Sequence, residues 1–303
     1  MCIGDGLQCK ANRVPQYGTK IGCPQPNGLA PLVSMGTARE SVLNCCAIQV
    51  FLVYSLHLVF GEASVFKRFI DGIAVLVDEA EFVISEKGLF LKATDPSQIS
   101  LVDFAIPKSA FKKFEIKKDA KIGVDLNYFG QVMARAKSAD SVELLVNDDS
   151  SKLSVVFSGS SKRSFVIPLL DLHTADLPLP KIDFDAEVKI KASSLVDSFK
   201  DAALISTHIL LSVENDSFIV RANSSKGNVE NIYNSKDESV VSLRVSADTK
   251  AMFPLDYLSN MMKAASNDTD VLVKIKTNAP VEISYSVGDA KFTYFLAPRI
   301  ESD

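Results

Sequence analysis

Two stretches of this chain match across 129 positions. Leu126 to Val142 reads LNYFGQVMARAKSADSV, and Leu255 to Val271 reads LDYLSNMMKAASNDTDV. Leu126, Tyr128, Phe129, Val132, Met133 and Ala136 fall on Leu255, Tyr257, Leu258, Met261, Met262 and Ala265. Apolar residues three and four apart predict an amphipathic helix in both copies. A strand-like run follows each one, VELLV from Val142 and VLVKI from Val271. A second pair of segments, Val65 to Ala93 and Leu195 to Ala222, repeats at nearly the same spacing. Each opens as a helix and continues as two short strands, turning at Glu86-Lys87-Gly88 in one and Glu214-Asn215-Asp216 in the other. A period this long predicts two tandem domains of like architecture rather than a solenoid of short repeats. The 303 residues are enough for both.

Charge is unevenly spread. Residues 1–54 carry Lys10, Arg13, Lys20 and Arg39 against Asp5 and Glu40, so the net charge of −4 divides into +2 there and −6 in the duplicated body. An acidic body argues against a conventional tight nucleic-acid binder, which needs a strong positive field. All five cysteines (Cys2, Cys9, Cys23, Cys45 and Cys46) lie in the first 46 residues. The body therefore relies on neither disulfides nor a thiolate metal site, and the cysteine spacings fit no zinc pattern.

The first 54 residues hold six of the fourteen glycines and four of the twelve prolines, with no clear periodicity before Ser41. Disorder is the plain reading of such a leader. Val42 to Gly61 then runs for twenty residues without Asp, Glu, Lys or Arg, long enough for a transmembrane candidate. The repeat favours dividing this run: LHLVFGEASVFKRF matches AEVKIKASSLVDSF, so a strand turning into the first helix is expected near residue 55. A start codon placed too early would account for the rest, while a genuine anchor or targeting segment stays open.

Motifs for catalysis are missing. The sequence has no phosphate-binding glycine loop, HExxH, nucleophile elbow or CxxC pair. His57, His173 and His208 are isolated from one another, and His57 reads as a packed core residue. Acid–base chemistry usually needs two or more titratable groups together.

The helices carry a weaker signal. At 100° per residue, Phe66, Phe69, Ile70, Ile73, Leu76 and Val77 fill one face of a helix over Phe66 to Val77, with Lys67 and Arg68 opposite. Arg135, Lys137, Lys200 and Lys263 also fall off the apolar stripes, giving each of four helices at least one base. For any single helix these are ordinary solvated faces; their recurrence in four helices is the informative feature.

Three segments carry a resemblance. DPSQISLVDFAIP (Asp95 to Pro107), IPLLDLHTADLPLPKIDF (Ile167 to Phe184) and the terminal FLAPRIESD (Phe295 to Asp303) resemble, in order and spacing, the proliferating cell nuclear antigen family of sliding clamps, with an archaeal member expected before a eukaryotic one. The resemblance starts at about Ser55 and leaves the leader without a counterpart. It implies an α+β DNA-clamp fold with a leader over residues 1–54, clamp domains at 55–170 and 186–303, and a connecting segment at 171–185. Three chains would close head to tail, the strand near Ser161 to Leu169 meeting the strand near Lys226 to Asn234 of the next chain. Such a ring holds duplex DNA by topology and needs no cofactor. Lys67, Arg68, Arg135, Lys137, Lys200 and Lys263 are the bases expected on its inner wall. Gly130, Gln131 and Ala134 stand where the family often carries more base.

The resemblance also implies a partner groove beneath the connecting segment. DNA polymerase, clamp loader, ligase and flap nuclease would dock there through short motifs of a glutamine and paired aromatics. The matching positions are Gln98, Ile99, Leu101, Leu177, Leu179, Pro180, Phe184, Pro280, Phe295, Ala297, Pro298 and Ile300, with Thr94 where some members have methionine. The residues lend partial support, since Leu177-Pro178-Leu179-Pro180 is apolar and held extended by its prolines. A linker packed on its own domain reads the same way. The expected location is cytoplasmic and nucleoid-associated, or nuclear in a eukaryote. Other readings are a checkpoint-type or hetero-oligomeric clamp subunit, an enzyme with an unmarked site, and an interaction protein anchored through 42–61.

Overall fold

The computed structural model describes residues 54–147, 151–172 and 177–299. The first half runs β1 (Tyr54–Phe60), α1 (Ala63–Ala74), β2 (Glu79–Ser85), β3 (Gly88–Thr94), β4 (Ser100–Pro107), β5 (Lys113–Ile116), β6 (Ala120–Asp125), α2 (Leu126–Met133), β7 (Ser141–Asn147), β8 (Lys152–Ser158) and β9 (Lys162–Pro168). The second half runs β10 (Ala186–Lys191), α3 (Ala192–Ile205), β11 (His208–Glu214), β12 (Ser217–Ser224), β13 (Gly227–Asn234), β14 (Val240–Val245), β15 (Thr249–Pro254), α4 (Leu255–Met261), β16 (Asp270–Ile275), β17 (Val281–Val287) and β18 (Ala290–Leu296).

The sheets repeat strand for strand. The first half orders five strands as β5-β1-β7-β8-β9, and the second orders β14-β10-β16-β17-β18. The remaining strands order as β4-β3-β2-β6 and β13-β12-β11-β15. One junction breaks the parallel: β18 pairs with β4, fusing a five-stranded and a four-stranded sheet into one of nine strands.

The turn chemistry follows the sequence. Asn215 and Asp216 both take positive φ (50° and 58°), the geometry of a two-residue hairpin whose twist suits the flanking strands. In the matching hairpin Gly88 takes φ 146°, and an added Cβ there would lie 2.1 Å from the Ile106 carbonyl oxygen.

Strands alternate buried and solvent-side residues, and the helices pack on the buried faces, α1 beside α2 and α3 beside α4. Aromatic packing crosses the β4–β18 seam: Phe104 and Phe292 lie 4.7 Å apart between centroids, with Phe69 of α1 against both. The Tyr294 hydroxyl donates to the Gly72 carbonyl at 3.1 Å, and the Tyr285 hydroxyl donates to the Met261 carbonyl at 2.6 Å. Gly72 is needed there, since a Cβ would stand 2.7 Å from the Ala264 Cβ.

Three expectations need correction. The first helix covers Ala63–Ala74, so Leu76 and Val77 are buried in the turn beyond it and not on its face. Helices α2 and α4 are shorter than the periodicity implied. After α2 the Arg135 and Ala136 amides bond back three residues, to Val132 and Met133, which tightens and ends the helix. His57 is not packed among apolar side chains alone: its Nε2 lies 2.6 Å from Glu143 Oε1 on the neighbouring strand.

The strand expected near residue 55 is β1, and it turns into α1 as the repeat requires. The rest of the 42–61 run lies outside the described residues, as do His173 and the leader up to residue 53. Among the described residues no helix is long and apolar enough to cross a membrane.

Candidate partner groove and helix-borne bases

The β4–β18 seam gathers several groove positions. Leu101 lies directly opposite Phe295, and Thr94 and Glu282 continue the same row on the outer strands. Ile99 is joined to the C-terminal segment, its carbonyl accepting the Ala297 amide at 2.8 Å. Arg299 then returns its amide to the Met252 carbonyl at 2.8 Å, which pins Ala297 and Pro298 between two tethered points. Phe184 enters through charge: Lys274 Nζ sits 5.7 Å from its ring centroid and pairs with Glu282 at 3.0 Å.

Leu101 and Phe295 are buried, while Ile99 and Leu179 are each 36% exposed, large apolar side chains open to solvent. Leu177, Phe184, Pro280, Ala297 and Pro298 are half-buried, and Pro180 and Gln98 are exposed. Among the described residues, no hydrogen bond or ring contact ties Leu177, Leu179, Pro180 or Pro280 to the seam. Ile300 lies outside the described residues.

A buried carboxylate organises the loop that presents Gln98 and Ile99. Asp95 Oδ1 accepts the Ser100 amide at 2.7 Å and its hydroxyl at 3.1 Å; Oδ2 accepts the Ser97 amide and the Tyr257 hydroxyl, both at 3.0 Å. Burial by itself would raise this carboxyl, but the hydrogen bonds from Ser100, Tyr257 and Ser97 outweigh it and hold Asp95 below its ordinary value. The Tyr257 hydroxyl is pushed up, by burial first and then by its bond to that carboxylate. The turn places Gln98 at φ 58°, in the left-handed region, with its amide bonded to the Asp95 carbonyl at 2.9 Å. Neither Asp95 nor Tyr257 stands out in the sequence as a site residue. The available signal was the DPS turn, an Asx-type sequence.

The bases divide into two groups. Lys67 pairs with Asp71 one turn along α1, and Lys200 pairs with Asp197 along α3 at 3.0 Å with both partners exposed. Arg68 is committed inside the molecule: its Nη2 donates to the Ala264 carbonyl at 2.6 Å, tying α1 to the turn after α4. Arg135, Lys137 and Lys263 are exposed but lie in the turns after α2 and α4, so those two helices themselves carry no base. The expectation of at least one base on each of the four helices is therefore corrected, because α2 and α4 end before their basic residues.

Two free strand edges complete the candidate surface. Among the described residues β9 pairs only with β8, and β13 only with β12. Val166 of β9 is 55% exposed and Ile232 of β13 is 50% exposed.

The sequence and the fold are similar to those of known proteins. Residues 55–187 match the model of the proliferating cell nuclear antigen N-terminal domain, and residues 178–300 match that of the C-terminal domain. The DNA polymerase sliding clamp of Thermococcus gammatolerans is 33% identical over 246 residues, covering 81% of this chain and 98% of that protein. The one from Thermofilum pendens is 34% identical over 248 residues, covering 81% of this chain and all of that protein. Among solved structures, the proliferating cell nuclear antigen of Thermococcus kodakaraensis superposes with a TM-score of 0.78 at 24% identity, over 80% of this chain and 100% of that one. That of A. fulgidus, solved with the C-terminal region of FEN-1 bound, gives 0.75 at 26% identity over 82% of this chain and 100% of that one. This chain belongs to the proliferating cell nuclear antigen family, the DNA polymerase sliding clamps.

Proposed function

We propose that three copies of this chain close head to tail around duplex DNA and tether replication enzymes to it without performing chemistry of their own. In this reading residues 55–170 and 186–303 are the two clamp domains and 171–185 connects them. The observation that carries it is the pattern of sheet edges. One five-to-four-strand junction is made inside the chain, and the corresponding two edges, β9 and β13, are left free. A heterologous contact of this kind closes into a ring when its rotation divides the circle.

The electrostatics suit sliding. Affinity for duplex DNA is dominated by phosphate contacts and is strongly salt-dependent. The body is acidic, and the exposed bases expected on the inner wall (Arg135, Lys137, Lys200 and Lys263) are few. Retention by topology then requires only weak, non-specific contact with the backbone. Lys67, paired with Asp71, adds to this inner set, whereas Arg68 acts mainly as a structural tie.

Partner docking is assigned to the seam between Ile99, Leu101, Phe295 and Pro298, with Leu179 and Phe184 of the connecting segment forming its second wall. The relative solved with the C-terminal region of FEN-1 supports a flap nuclease as one partner. DNA polymerase, clamp loader and ligase follow from the family as further partners.

Loading onto a nicked plasmid tests the topology. The chain, loaded by a clamp loader, should co-elute with circular plasmid at moderate salt and be released when one restriction cut makes the plasmid linear. Equal retention on circular and linear DNA would replace encirclement with ordinary binding.

A further inference from the structure

An open basin of about 550 Å³ lies on the solvent face of β10, β16, β17 and β18, outside the groove described above. Ligand sites commonly have about 300–1,000 Å³. The strand register explains the basin. Lys189, Leu272, Ser284, Thr293, Asp103 and Lys92 lie directly opposite one another on β10, β16, β17, β18, β4 and β3. Neighbouring strands lie about 4.8 Å apart, so this row spans roughly 24 Å on one face. Serine and threonine stand at its centre and long side chains at its ends, which leaves a depression between them. Ser284 and Thr293 are buried, and neither hydroxyl has a hydrogen-bond partner among the described residues.

Each end of the row holds one carboxylate between two lysines. Asp270 accepts a hydrogen bond from Lys191 Nζ at 2.6 Å and pairs with Lys189 Nζ at 3.0 Å, and these two bonds, Lys191 first, hold its carboxyl below the ordinary value. Asp103 stands in the field of Lys92 and Lys291; its half-burial raises the carboxyl, and the two lysines, Lys92 first, offset this only in part. One carboxylate neutralises one ammonium, so each end keeps a positive charge. Asp268, exposed at the rim, cancels one of them. Lys92, Lys189, Lys191 and Lys291 thus stand against Asp103, Asp268 and Asp270, a local excess of one positive charge (4 − 3) on a body of net −6. Lys291 is the most available, being exposed and without an ion-pair partner among the described residues.

The basin continues the groove. Thr293 is two residues from Phe295 along β18, and Asp103 is two from Leu101 along β4, on the same face. Lys291 is a further two residues along β18, about 14 Å from Phe295 at roughly 3.4 Å per residue. We propose that a partner peptide seated in the groove lays an acidic flank into this basin, an inference that rests on the groove reading above. The flank's carboxylates meet Lys291 and the charge left over from Lys189 and Lys191, and the Ser284 and Thr293 hydroxyls donate to them. Four extended residues cover the distance, so the flank reaches the basin without any change in the groove. An open basin joined end-on to a peptide groove suits a chain segment better than a free anion, which would keep solvent on most sides. Exposed charges set partner choice and association rate more than affinity, so the basin sorts partners by the sign of their flank.

Fluorescence anisotropy with labelled peptides on the full chain tests this. The core peptide holds a glutamine and paired aromatics, and four glutamates or four glutamines are added at either end. At low salt one of the two glutamate extensions should bind about fivefold or more tighter than its glutamine twin, and the gain should shrink as salt screens it. Lys291→Gln should cut the gain to about twofold or less. Lys189→Gln with Lys291→Gln should abolish it, while the core peptide binds both variants as it binds the parent. Equal affinity of glutamate and glutamine extensions at both ends, or a gain that survives in the double variant, would overturn the acidic flank and leave the groove intact. A core peptide that does not bind at all would overturn the groove and this inference with it. Inorganic phosphate that protects Lys291 from acetylation, with no gain from either extension, would make the basin a free-anion site and overturn the partner flank.

Discussion

Tyr257 of α4 donates its hydroxyl to Asp95 Oδ2 at 3.0 Å, a bond between residues 162 positions apart that ties the second half of the chain to the loop presenting Gln98 and Ile99. The tie gives the groove a fixed wall. Tyr257→Phe removes one donor from a buried carboxylate, and hydrogen bonds to charged groups contribute about 1.5–3 kcal/mol. We expect a loss of that order in chemical denaturation, together with weaker binding of a partner peptide. Unchanged stability and unchanged binding would show that the bond contributes nothing to either.

The same carboxylate makes a pH prediction. Asp95 is held below its ordinary value in the folded chain. Its contribution is therefore fully present above the unfolded carboxyl range, near pH 4, and is lost as the pH falls through the folded value. Asp95→Asn should be less stable than the parent by about 1–3 kcal/mol at pH 7, and the difference should shrink by pH 3. Urea melts of the pair at both pH values check this, and a difference that persists undiminished in acid would contradict it.

Gly72 lies in the last turn of α1, and within a helix alanine is ordinarily favoured over glycine by roughly 0.5–1 kcal/mol. Here a Cβ would meet the Ala264 Cβ at 2.7 Å and Phe292 Cε1 at 3.1 Å. Overpacking of this kind costs about 1–3 kcal/mol, so Gly72→Ala should lower the melting temperature despite its better helix propensity. A variant as stable as the parent would mean that α1 shifts freely against the second half.

Leu179→Glu probes the groove. Placing an uncompensated charge against an apolar partner side chain costs several kcal/mol on the usual scale, and a few anchors carry most of such an interface. Affinity for a peptide with a glutamine and paired aromatics should fall by about tenfold or more, equivalent to roughly 1.4 kcal/mol. The melt should be unaffected, because Leu179 is 36% exposed and lies outside every helix and strand. Unchanged peptide affinity with an intact melt would remove Leu179 from the site.

What the sequence made legible was what repeats or alternates. Leu126 and Leu255 mark matching helices, the turns at Gly88 and Asn215 mark matching hairpins, and β1 falls where AEVKIK required a strand. Helix ends were overrun because Ala136 and Ala265 extend the apolar period past Met133 and Met261, although the backbone has already tightened into turns there. That error put Arg135 and Lys263 on helices. The long-range ties were invisible for a different reason. Arg68 finds the Ala264 carbonyl 196 positions away and Asp95 finds Tyr257, and no local pattern encodes a partner at that distance. Nothing in the sequence singles out Arg163, and only the structure joins it to buried Asp140.

Sedimentation equilibrium of the full chain at micromolar concentration measures the ring most directly. Three times the 32.9 kDa chain mass is the expected result. A single species at the mass of one chain would contradict it.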